Sequence, residues 1–245
     1  MENLAIISNL NHIFVNIMIF IAGFLIGRVV VIVIETLPEG KALLLKNLFS
    51  TRFTLKGFIV QLITGAVFVL IYSKYGMTAE FFFFVYIMII LIIMFFIDLR
   101  TKIIPDELVI AGLAGGLVAF TYNIFIPLEI YPSTSWWEPL IGILPGSGVL
   151  LSITVLGMII YKSDEVMGMG DVKIFAPVGM FLGWKMCMLT LVVSMFVGGI
   201  TSIILVLFRI KKRKDTIPFG PFITLATLIV ILFGKDIWGW YFFRI

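Results

Sequence analysis

Charge is what this chain has least of. Only 13% of its 245 residues are Asp, Glu, Lys or Arg, about half the share of a soluble domain, so an aqueous globular surface cannot be built from it. Cysteine and histidine are nearly missing, with Cys187 and His12 the single examples. That excludes a disulfide framework and a Cys/His zinc cluster, and leaves Cys187, inside an apolar run, as a packing residue. The N-terminus lacks a basic stretch and a small-residue cleavage site, so the first apolar run is expected to be retained as a span. No internal repeat and no separate soluble domain is visible, and residues 1–245 read as a single membrane-embedded domain.

What fills the chain is hydrocarbon. It is 61% hydrophobic, with a mean hydropathy of +1.17, and its continuous apolar runs are long enough to cross roughly 30 Å of lipid. Backbone groups in lipid must bond within their own segment, and continuous runs exclude an alternating barrel. The fold class expected is all-α, a polytopic bundle of about eight transmembrane helices. The spans fall near 13–34, 57–73, 81–98, 107–126, 138–161, 171–184, 186–208 and 218–240. The sixth is the shortest; it contains Pro177 and ends in a tight turn at Gly183–Trp184–Lys185. Loop 35–56 has room for a short amphipathic helix around Lys41–Phe49. With the N-terminus outside, thirteen Lys and Arg fall in inner stretches and four in outer ones, the positive-inside bias. Both termini then face outward. The net charge of +4 reflects this topology, and no nucleic-acid partner is expected. Trp136 and Trp137 mark an outer interface, and the basic run Arg209–Lys214 suits anionic lipid. Small-residue pairs at Gly23/Gly27, Gly112/Gly116 and Gly179/Gly183 suit close helix contact.

Ionisable groups at membrane depth are costly, about 2.5–3.5 kcal/mol on insertion scales, and so mark functional candidates. Asp98 ends the chargeless run Phe81–Ile97. Asp171 sits in Met167–Lys173, directly before the sixth span. Both fall at the cytosolic edge, on different helices. Like charges held together cannot both ionise cheaply, so such a pair shares one proton. One carboxyl then acts as general base on water and the other as general acid on a carbonyl, hydrolysing peptides without a metal. Gly168 and Gly170 leave the neighbouring backbone bare for an extended substrate, and Lys173, Asp164 and Glu165 are further substrate-binding candidates. The bland alternatives are an interfacial cap for either aspartate, or an N-cap at Asp171 with Lys173 solvated. Asp106, after Pro105, reads as an N-cap.

The order of these residues resembles the type IV prepilin peptidases, intramembrane aspartic proteases of the G-x-G-D class, over nearly the whole chain. Gly23–Pro38 (GFLIGRVVVIVIETLP) is similar to the family's first-span segment. Asp98–Asp106 matches its D-x-x-x-x-x-I/L-P-D/N stretch, and Gly168–Lys173 its G-x-G-D-x-K. Gly179–Trp184 and Ile217–Pro221, the latter an I-P-F-G-P element with Pro218, Gly220 and Pro221, also match. The resemblance implies Asp98 and Asp171 as catalytic aspartates. It implies cleavage at the cytosolic face, after a Gly that follows a basic leader, with a prepilin or pseudopilin as partner. The departures are Val31 where Asn is frequent, Gln61 where Glu is common, and a loop 35–56 without the two C-x-x-C pairs that bind zinc. No metal and no cofactor is expected; S-adenosylmethionine would be needed only if N-methylation were retained. A transporter using both aspartates as ion or proton sites, an assembly scaffold, and a preflagellin- or presenilin-like protease stand as alternatives.

Overall fold

The computed structural model describes residues 2–39, 54–128, 130–131, 135–161, 168–212 and 215–243. Among them there are helices and turns but no strand. In chain order the elements are α1 (Glu2–Thr36), a 3₁₀ turn (Leu37–Glu39), α2 (Leu55–Tyr75), α3 (Ala79–Thr101) and α4 (Asp106–Phe125). They continue with a short α5 (Glu138–Ile141), a π-turn (Leu144–Gly148), α6 (Val149–Tyr161), α7 (Met169–Leu207) and α8 (Gly220–Phe243). Among the described residues seven stretches are long and apolar enough to cross a membrane, with α5, the π-turn and α6 running on as one. The expected multi-pass all-α architecture is therefore what the chain forms. Helix α1 starts well before the anticipated residue 13; its apolar stretch is His12–Thr36. Residues 41–49 and Asp164 and Glu165 lie outside the described residues.

The chain falls into two compact units, Met1–Ile93 and Met94–Ile245. In the first, glycine sets how closely α1 and α2 approach. A Cβ on Gly23 would stand 2.9 Å from the Gly65 Cα, and one on Gly27 2.7 Å from the Gln61 Cα. Both members of this pair therefore serve close contact, as their spacing suggests. Gln61 is buried, its amide donating to the Gly57 carbonyl at 3.4 Å.

In the second unit the outer faces are hydrocarbon: Phe196, Ile203 and Leu207 are exposed, while Thr190, Ser194, Thr224 and Thr227 are buried. Each buried hydroxyl is satisfied by its own helix, as in Thr190 to Met186 O and Thr227 to Ile223 O. This inversion of the aqueous pattern suits lipid, where an unpaired hydroxyl would be costly.

Helix α7 is the element that matters most. Its 39 residues would span about 58 Å if straight, twice the hydrocarbon thickness. It is broken at Gly183, whose φ of 71° and ψ of 174° are non-helical and open in practice only to glycine. Beyond the break, Met186 meets Gly234 and Gly198 meets Phe219 and Phe222, so this leg runs antiparallel to α8. Met169–Asp171, at the other end of α7, share a cleft with Thr216–Phe219 just before α8. Both ends of α7 thus lie beside the start of α8, and the chain doubles back at Gly183. The two legs replace one long helix, with the turn where the sequence places it; among the described residues the stretches able to cross a membrane number seven, against the eight expected. Trp184 packs edge-on against Trp238 at 6.3 Å there, with the Lys185 ammonium 5.4 Å from the Trp184 ring.

The first leg is held by backbone-to-backbone contact. A Cβ on either Gly142 or Gly179 would overlap the carbonyl of the other. The π-turn, which contains Pro145, presents Gly146 to the Phe175 ring, and the Ser147 hydroxyl donates to the Val172 carbonyl at 2.8 Å. Gly116 of α4 receives Met180, and Cys187 is fully buried. Tyr131 donates to the Met180 carbonyl at 2.7 Å. Burial, and secondarily the Glu138 carboxylate, push its phenol above the ordinary range, so the hydroxyl remains a donor.

Replacing Gly183 by Ala adds a Cβ 2.8 Å from the Tyr131 ring at a positive φ. The expected loss is about 1–3 kcal/mol, read as a lower unfolding midpoint in detergent. Gly199→Ala, with nothing within 4 Å, should leave that midpoint in place; equal losses would remove Gly183's special status.

Candidate active site

Asp98 lies one turn before the end of α3, where it is 4% exposed. The helix ends through a left-handed residue, Lys102 at φ 54°, whose N–H donates to the Asp98 carbonyl at 2.9 Å. A non-glycine residue in that region is uncommon. Here the Lys102 ammonium is held by Thr216, 2.7 Å from its Oγ1 and 3.3 Å from its carbonyl. The Asp98 Oδ2 in turn accepts the Gly220 N–H at 3.0 Å. A link at each end thus fastens Thr216–Gly220 against the end of α3.

Asp171 is half-buried in the first turn of α7. Its N–H donates to the Gly168 carbonyl at 3.1 Å. The cap position is Gly168, without a side-chain bond, so Asp171 is not the N-cap. Both aspartates line one cleft of about 750 Å³, together with Lys102, Ile103, Ile104, Gly168–Gly170, Lys173 and Thr216–Phe219. They are close enough for their charges to interact. The structure therefore gathers Asp98, Asp171, Gly168, Gly170, Lys173 and Pro218 around one space.

Other residues behave differently from expectation. Asp106 is the first residue of α4 and not its cap, since Pro105 occupies the cap position. The Asp106 carboxylate instead accepts from Lys173 at 2.6 Å, with both side chains largely exposed. Such an exposed pair is worth about 0–1 kcal/mol. Lys173 is thus not purely solvated. Gly170 lines the cleft and is bare for a further reason: a Cβ there would stand 2.8 Å from Ile104 Cδ1, so its missing side chain also accommodates Ile104. Gly168 is exposed, and a Cβ there would lie 3.2 Å from Asp171 Oδ2. Pro221 follows Gly220 at the first turn of α8, where a missing N–H costs nothing.

Lys102, Ile104 and Thr216 escaped the sequence reading. Their roles arise from a left-handed helix end and a contact across 114 residues, which no local pattern announces. Among the described residues no group of three or more His, Cys, Asp or Glu is placed to hold a metal ion.

Fold and cleft define a multi-pass helical membrane protein with two aspartates brought to one end of its second unit. Residues 85–203, which carry both, match the model of the type IV leader peptidase family. A protein of Legionella pneumophila called prepilin leader peptidase/N-methyltransferase is 30% identical over 79% of this chain and 63% of its own length. Proteins of the same name from Aeromonas salmonicida and Aeromonas hydrophila are 35% and 31% identical, over 60% and 78% of this chain and 47% and 62% of theirs. The chain thus spans about half to 63% of these relatives. No solved structure matches it significantly.

Gly170→Val should crowd Ile104 and lower stability by about 1–3 kcal/mol, the usual range for overpacking. Adding Ile104→Ala should recover part of that loss in thermal unfolding. Strict additivity of the two substitutions would show that the contact is not the cause.

Proposed function

We infer that this chain is an aspartic-type endopeptidase that removes basic leader peptides from prepilin- or pseudopilin-like precursors. The observation that carries the reading is the meeting of Asp98 and Asp171 on one cleft. Two carboxyls from separate helices, sharing one proton, supply a base and an acid for adding water to a peptide carbonyl. The family match over residues 85–203 supports this, as do the relatives named for prepilin processing.

The thirteen-to-four bias in Lys and Arg supports a cell-membrane protein with both termini outside and its cleft toward the cytosol. Cleavage is then at the cytosolic face, after a Gly, with the substrate's apolar segment left in the bilayer. Gly168, Gly170, Lys173, Asp164 and Glu165 are proposed to contact the substrate. Pro105, Asp106, Pro218, Gly220 and Pro221 are proposed to hold the site in shape. N-methylation is not proposed, because a chain with a single cysteine carries no C-x-x-C pair. An ion or proton site in a transporter would suit carboxylates near mid-span, whereas Asp98 and Asp171 each lie within about a turn of a helix end.

Membranes containing the chain should shorten a prepilin-like substrate, read by mass spectrometry of the product. Asp98→Asn and Asp171→Asn should each slow cleavage by at least about 10²-fold without altering membrane insertion. An uncut substrate with the parent chain, or wild-type cleavage by either variant, overturns the assignment. The rate should rise and then fall with pH, because the pair works only while it shares one proton: the base is lost below that window and the acid above it. A chelator should leave cleavage unchanged; strong inhibition would call for a metal.

A further inference from the structure

The two carboxyls are not held alike. The Asp98 Oδ2 accepts the Gly220 N–H at 3.0 Å, a contact between residues 122 apart. It exists because Gly220 has no side chain. A Cβ there would stand 2.7 Å from Asp98 Oδ2 and 3.3 Å from its Cγ. Among the described residues no backbone N–H reaches the Asp171 carboxyl, whose charged neighbour is Asp98 itself. A fixed N–H stabilises the ionised form of the oxygen it faces, and such a charge-assisted bond is roughly twice as strong as a neutral one. Where two carboxyls share one proton, that proton goes to the carboxyl without the donor.

Resting on the peptidase reading above, we propose that Gly220 is a positioning residue. Its N–H fixes Asp98 as the ionised partner that activates water, and leaves Asp171 to carry the shared proton as the acid. The Lys102–Thr216 link braces the same segment from the other side.

The step balances. Water gives a proton to the Asp98 carboxylate while its oxygen bonds to the scissile carbonyl carbon, and Asp171 gives its proton to the carbonyl oxygen. In the collapse of the resulting diol, one hydroxyl returns a proton to Asp171 and the carbon–nitrogen bond breaks. The leaving nitrogen takes the proton from Asp98. The products are an acid and an amine, and both aspartates regain their starting states.

Two reagents tell the carboxyls apart in the wild-type chain. An aryl glycidyl ether is opened by an ionised carboxylate, with the neighbouring acid protonating the ring oxygen. A copper-activated diazoacetyl ester esterifies a protonated carboxyl. Peptide mapping should find the ether on Asp98 and the diazo ester on Asp171. Gly220→Ala should lower kcat on a prepilin-like substrate by about 10²-fold, the scale for losing a preorganised donor. It should leave KM within about twofold and reduce ether labelling of Asp98. The reversed adduct pattern, equal labelling of both aspartates, or Gly220→Ala at wild-type kcat overturns the assignment while wild-type cleavage keeps the peptidase reading intact. A wild-type chain that leaves the substrate uncut removes that reading and the assignment with it.

Discussion

A carboxylate where water gives way to hydrocarbon must find its solvation in the protein or stay neutral. That constraint organises the second unit. Asp98 is 4% exposed and takes a backbone N–H in place of water. For the N–H to arrive, the start of α8 must reach the end of α3 with no side chain intervening, which Gly220 permits. For Asp171 to join, α7 must begin at the same end, so the chain has to double back before continuing. The break at Gly183 provides that return.

Close backbone approach recurs as the means. In water, helices are drawn together by their apolar faces; in lipid those faces gain little from each other, and tight packing has to supply the attraction. Gly142 against Gly179, Gly146 against Phe175 and Gly116 against Met180 settle the first leg of α7 onto its neighbours. The Ser147 hydroxyl adds a polar tie near Asp171 by bonding the next residue's carbonyl. Pro177, within that leg, removes the N–H that would have met the Lys173 carbonyl. The leg that carries Asp171 is therefore fastened from outside more than from within.

Much of this was legible in the sequence because hydropathy and rarity are local signals. Apolar runs gave the helices, and scarce aspartates at their ends marked Asp98 and Asp171. Glycine and aromatic residues at Gly183–Lys185 announced the turn. What escaped depends on long-range placement. Asp106 looks like a cap because it follows Pro105, yet it meets a lysine 67 residues away. Gly170 looks like room for a substrate, and nothing in its place in the chain says that it also accommodates Ile104. Lys102 looks like one more positive-inside charge, yet its left-handed backbone and its hold on Thr216 make it part of the site's frame. The I-P-F-G-P element was recognisable as a pattern, but nothing in its letters says that its glycine N–H points at Asp98.

The first leg of α7 runs from Met169 to Leu182. At 1.5 Å per residue it is about 21 Å long, well short of the roughly 30 Å of hydrocarbon around it. A membrane meets so brief a helix by thinning or by drawing headgroups inward. Such a dimple would fall at the ends of that helix, and one of those ends carries Asp171. On the peptidase reading, whose second reactant is water, a locally shallow bilayer would deliver that water to the Asp171 end of the leg.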